Sequence, residues 1–135
     1  MRAILISLLI ILLAPATWAQ DDEPEIFTIV EVMPQFKGGE KALLQYLKKN
    51  IKYPKEARDA GIQGIVYVKF RVDNEGKIKD ARILRGIGGG CDEEALRVVN
   101  NMPDWDPGTQ REIPVNVYYN LPIRYTLPEP KPRKK

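Results

Sequence analysis

Hydrophobic and polar positions along the chain change rhythm several times, and each change marks an element. VNVYYNLPIRYTL, residues 115–127, alternates without a break. Val115, Val117, Tyr119, Leu121, Ile123, Tyr125 and Leu127 take one face, and Asn116, Tyr118, Asn120, Pro122, Arg124 and Thr126 the other. A period of two over that length predicts a half-buried strand. Residues 63–73 alternate in the same way, with Val66, Val68, Phe70 and Val72 on one side and Lys69 and Arg71 on the other. Asp73-Asn74-Glu75-Gly76 predicts a hairpin loop, with glycine where positive φ is wanted. KIKDARILRG then returns as a strand whose alternation slips at Lys79-Asp80, the mark of a bulge.

Helical spacing occupies the gaps. In EKALLQYLKKNI, residues 40–51, Leu43, Leu44, Leu47 and Ile51 recur at three and four, which predicts an amphipathic helix. That helix must end near Lys52, because the residue before Pro54 is driven out of helical geometry. Pro54 is then suited to open a second, two-turn helix over Lys55–Ala60 that Gly61 closes. Two turns are too few to stand alone, so this helix is expected to dock through Ala57 and Ala60, with Tyr53 and Ile62 as anchors. Asp92 is expected to cap a third helix, Cys91 to staple its entry against Leu96, and Ala95, Val99 and Met102 to form its apolar stripe. Strands on both sides of helices, joined by a tight hairpin, predict an α+β fold: a small antiparallel sheet with two main helices packed on one face.

The ends read differently. Arg2, the apolar run Ala3–Ala14 and Thr17-Trp18-Ala19 have the form of a signal peptide over residues 1–19, cleaved after Ala19. Twelve residues before Pro15 fall short of the roughly 20 that a spanning helix needs, although a retained inner-membrane anchor is the alternative. Residues 20–32 read as an N-terminal arm or short strand, residues 33–127 as one domain, and PEPKPRKK (128–135) as a disordered basic tail.

Charge and composition remove whole classes of chemistry. The formal charge is +3. Arg2 belongs to the leader, and Lys131, Arg133, Lys134 and Lys135 exceed Glu129 by three, so the body is near −1 and a nucleic-acid partner is not expected. The chain has no histidine, and its only serine, Ser7, lies in the leader. No Ser-His or Cys-His nucleophile pair can form, so no catalytic residue and no enzyme activity are expected. No metal, cofactor or small-molecule substrate is expected either. RGIGGGCDEE fails both the dinucleotide and the phosphate-loop spacings, and its acids would repel phosphate. Asp92, Glu93 and Glu94 suit a helix start, while Asp104 and Asp106 lack the further ligands of a calcium loop. Cys91 is a lone, buried thiol and Trp105 a core plug.

Several features in order resemble one family. Tyr53-Pro54 with its short helix, Gly64-Ile65-Val66, the hairpin Val72–Gly76, the helix at Glu94-Ala95-Leu96 and Trp105-Asp106-Pro107-Gly108 are together similar to the C-terminal domain of TonB, the energy transducer of double-membraned bacteria. The resemblance runs from about Met33 to Leu127. It implies a periplasmic domain that binds a short extended peptide of an outer-membrane receptor, the TonB box, as a strand added beside the last strand. A self-associating structural or regulatory domain, a homodimer through the same edge, is the alternative. A complete transducer also carries a long spacer. Gln20–Glu25, extended, would reach only about 20 Å.

The side open to a guest follows from Pro122. Proline lacks an N–H and is tolerated in sheets mainly at edges. If Pro122 faces the open side, so do the main-chain groups of Asn116, Tyr118 and Asn120. The expected peptide-binding edge is therefore Val115, Asn116, Val117, Tyr118, Tyr119 and Asn120, supported by Tyr53, Pro54 and Trp105. The competing expectation is that the arm 26–32, or a second copy, already covers this edge.

Overall fold

A computed structural model describes residues 25–128. The leader and most of the basic tail lie outside the described residues. A four-stranded sheet carries the fold, in the order β1-β6-β2-β3. Its strands are β1 (Ile26–Phe27), β2 (Gly64–Val72), β3 (Ile78–Arg85) and β6 (Asn116–Tyr125). Three helices accompany it: α1 (Gly39–Asn50), α2 (Lys55–Asp59) and α3 (Cys91–Asn100). A separate two-stranded hairpin, β4 (Thr109–Gln110) with β5 (Ile113–Pro114), leads into β6. The α+β reading holds, with three differences in detail. β1 joins β6 in parallel. The β4–β5 hairpin interrupts the approach to the last strand. Helix α2 is shorter than expected by one residue.

β2 is the spine. It runs antiparallel to β6 in unbroken register from Gly64↔Tyr125 to Val72↔Val117, and antiparallel to β3 on its other side. The expected bulge is present. Register slips between Lys69 and Arg71, opposite Asp80, whose φ is +54°. The alternation of β2 and β6 becomes burial. Val66, Val68, Phe70, Val72, Val117, Leu121, Ile123 and Tyr125 line the face under the helices. At roughly 25 cal/mol per Å² of buried apolar surface, this face dominates the stability of the domain.

The helices close that face through their apolar stripes. Leu43 and Leu47 of α1, and Cys91, Ala95, Val98 and Val99 of α3, join the core. The Tyr46 hydroxyl donates to the Val98 carbonyl at 3.0 Å, tying α1 to α3. Ala57 of α2 is fully buried, but Ala60 is exposed, because the helix ends at Asp59 and Ala60 already turns toward Gly61 (φ +68°). Pro54 stands one position ahead of the first helical residue, with extended ψ.

Asp92 is not the cap of α3. Gly90 holds that position in a left-handed conformation, and the Asp92 carboxylate instead accepts the backbone N–H groups of Ile87, at 2.9 Å, and Gly88. The glycine run needs this latch, since its own residues offer no side chain to fix it. At the other end of the sheet, the β2–β3 loop is held through Gly76. The Trp105 N–H donates to the Gly76 carbonyl at 2.7 Å. A Cβ at Gly76, where φ is +85°, would fall 1.9 Å from the Trp105 oxygen.

Candidate functional site: the free edge of the last strand

Every residue expected at the binding edge lies in or just before β6. Val115, half-buried, donates its N–H to Gly108 at 3.0 Å and so belongs to the end of the β4–β5 hairpin. Asn116 and Val117 pair in parallel with Ile26 and Phe27 of the arm. The arm thus takes the first two positions of the edge. Among the described residues, no strand pairs with β6 beyond Val117 on the side away from β2.

Side chains around this edge divide by face. Tyr118 points to the outer face, where the Lys69 ammonium sits 4.4 Å from the centre of its ring. Asn120 and Pro122 are exposed on the same face. Tyr119 turns inward against Phe70 and Trp105, with ring centres 5.6 and 5.0 Å away. Burial pushes the Tyr119 phenol above its usual pKa. Helix α1 runs beside the open side. A groove of about 590 Å³ lies between Leu44, Leu47 and Lys48 of α1 and a wall formed by Ile65 and Tyr67 of β2 with Pro122 and Arg124 of β6. A second hollow, about 380 Å³, lies by Phe36, Leu43, Trp105 and Tyr119. Both hollows border residues of β6.

The supporting residues hold the strand rather than touch its edge. Trp105 is buried as a plug, set edge-on to Phe36 and Phe70, and its indole N–H has no partner among the described residues. Tyr53 donates its hydroxyl to the Ile62 carbonyl, bracing α2, and meets Tyr125 edge-on at 5.5 Å. Pro54 packs close to Gly90. The Tyr125 hydroxyl in turn donates to the Cys91 carbonyl at 3.0 Å. Cys91 itself is fully buried and its thiol is pushed up in pKa by desolvation, as an inert core residue should be.

The family described as the Gram-negative bacterial TonB protein C-terminal matches residues 49–127, which span the whole of β2 through β6. The chain belongs to this family. One relative, Protein TonB of Pasteurella multocida (strain Pm70), is 34% identical over 84 residues, 59% of this chain and 33% of that protein. The chain therefore spans about a third of the relative's length. Two solved structures are similar, both of the Helicobacter pylori TonB C-terminal domain in solution. The one covering its residues 179–285 is 24% identical, with a TM-score of 0.48, over 65% of this chain and 79% of its own. The one covering residues 194–285 is 23% identical, with a TM-score of 0.48, over 67% and 95%. The family match begins after the arm, so β1 and its parallel pairing belong to the part of this chain outside that match.

The arm, expected from the sequence as a competing occupant of the edge, takes its first two positions, in a parallel direction for which the sequence carries no signal. Ile26, Thr28 and Val30 alternate equally well in either direction.

Proposed function

We propose that this chain is a periplasmic TonB-like module that takes up an extended peptide segment of an outer-membrane receptor by strand addition along β6, in TonB-dependent transport. The observation that carries this reading is the edge of β6. One short strand, the arm, docks at its start, and beyond Val117 no strand among the described residues pairs with that side. Strand addition to such an edge gains main-chain hydrogen bonds, and flanking hollows supply side-chain selectivity. The unbroken β2–β6 register through Pro122↔Tyr67 supports placing the missing N–H of Pro122 away from β2, with Asn116, Tyr118 and Asn120 facing the guest. A guest either begins at Tyr118 or displaces β1. The chemistry of this reading is recognition, and the sequence offers it no Ser-His or Cys-His pair.

Titration with a synthetic peptide of the N-terminal extended segment of an outer-membrane receptor tests this. Asn120→Pro deletes one donor on the proposed side without touching the core, and affinity should fall about fivefold or more while circular dichroism stays unchanged. Asn116→Pro should instead free the arm. Unchanged affinity in a folded Asn120→Pro protein would move the site elsewhere.

A second reading has its own support. Ile29, Val32 and Ile113 are exposed large apolar residues on the arm and the β4–β5 hairpin, next to the same edge. They favour a second copy as occupant. A stable dimer in sedimentation that peptide does not dissociate would select self-association over receptor binding.

A further inference from the structure

The outer face of the sheet, opposite the helices, collects cations that lie far apart in the sequence. Register places Lys69 of β2 directly beside Arg82 of β3, and Arg71 beside Lys79. Arg85 pairs with Tyr67, which pairs with Pro122 on β6, and Arg124 of β6 lies beside Ile65. Arg71, Lys69, Lys79, Arg82, Arg85 and Arg124 thus share one face, while Val66, Val68, Phe70, Ile123 and Tyr125 fill the other. Asp80 is the acid among them, paired with Arg71 at 3.0 Å. Like charges directly opposite on neighbouring strands are destabilising. Two such pairs side by side, with one acid to offset them, are a feature that folding alone does not call for.

We propose that this face docks on an anionic phospholipid surface. The positive charge is spread in two dimensions. Strands stand about 4.8 Å apart, and the cations occupy three of them over six residues of strand length, about 20 Å. An extended acidic peptide would satisfy one line of these charges, whereas a layer of lipid phosphates reaches Lys69, Lys79, Arg82, Arg85 and Arg124 together, Arg71 being held by Asp80 and Asn116. Tyr67, 37% exposed, and Leu84, 50% exposed, stand among the cations. An amphipathic aromatic and an apolar residue within a basic surface are the composition that suits a headgroup interface. The near-neutral body of the chain conceals this face, because the balancing acids sit on the helices and loops, as with Glu56, Glu93, Asp104 and Asp106. Lys79, Arg82 and Arg85 lie on β3, across β2 from the β6 edge, so failure of peptide binding would leave them untouched.

The test is flotation of the full chain with zwitterionic vesicles and with vesicles that also contain phosphatidylglycerol. Any contribution of the apolar residues 1–19 is common to both, so the difference between them reports the charged face. Each Lys or Arg near an anionic surface is worth about fivefold. The triple variant Lys79→Gln, Arg82→Gln, Arg85→Gln alters exposed positions on the outermost strand and should lose tenfold or more of the phosphatidylglycerol-dependent binding. The same variant should melt no lower than the wild type, since it relieves the cross-strand repulsion. Removal of residues 129–135 should cost less than the triple change. The assignment is overturned by binding without preference for the anionic lipid. It is overturned equally by retention of that preference in the triple variant. Equal capture by polyglutamate at matched charge would give the face to an acidic chain instead.

Discussion

The two faces of this sheet are made from the same strands by the same alternation, yet they obey different rules. Toward the helices, successive residues of β2 are Val66, Val68, Phe70 and Val72, each 0% exposed and each satisfied by neighbours within the domain. Away from the helices, the residues between them are Ile65, Tyr67, Lys69 and Arg71, whose cross-strand neighbours include cations of the same sign. The first face is explained by folding. The second is tolerated by the stability that the first provides. A small domain can carry an outer face selected for something other than stability only while its inner face is closely packed.

The packed face is most vulnerable at Trp105. Replacing it with alanine empties the centre of the packed face, and stability should fall by about 3–5 kcal/mol in denaturant titration. A loss below about 1 kcal/mol would mean that the core closes without the plug. The next effect is smaller and depends on pH. Burial holds the Tyr125 phenol well above its ordinary pKa, so the neutral form is preferred in the folded state. A raised folded pKa contributes stability that is fully present below the unfolded value, near 10, and is lost as pH rises above it. Unfolding monitored from pH 8 upward should show stability that declines above about 10, and Tyr125→Phe should flatten that decline. At neutral pH the same change leaves the Cys91 carbonyl without its donor, at about 1–2 kcal/mol. The smallest effect belongs to the outer face. Asp80→Asn keeps a residue that tolerates positive φ and removes only the charge paired with Arg71. It should cost no more than about 1 kcal/mol at low salt and nothing measurable at high salt.

Legibility in the sequence follows the range of the forces involved. The β6 strand, the β2–β3 hairpin with its bulge at Asp80 and the two main helices were readable because period, turn residues and prolines act over a few positions. Asp92 was misread as a helix cap because its sequence context fits one. Its carboxylate is drawn instead to the bare N–H groups of Ile87 and Gly88, which only the folded glycine run presents. Ala60 was misplaced because one residue less of helix turns it outward. The basic face was illegible for a different reason. Positions 69, 71, 79, 82, 85 and 124 are unremarked in a chain whose body is near neutral, and only the register of three strands gathers them. The candidate edge was legible as a strand with a proline in it. The arm was legible as one of two competing occupants of that edge, but its parallel direction and its stop after two pairs were not, because a two-residue parallel bridge leaves no pattern.

The anchoring of Gly76 by Trp105 bears on how such a domain can diverge. By composition Asp73–Lys77 is an ordinary solvent loop, the kind of place where lineages gain and lose residues freely. Here its last glycine is clamped to the backbone of a residue whose ring fills the core, with no room for a β-carbon. A lengthened loop would lift Trp105 from its seat. Drift in length is therefore shut out of this tip and directed to the turn at Arg111-Glu112, which joins β4 to β5 and is exposed.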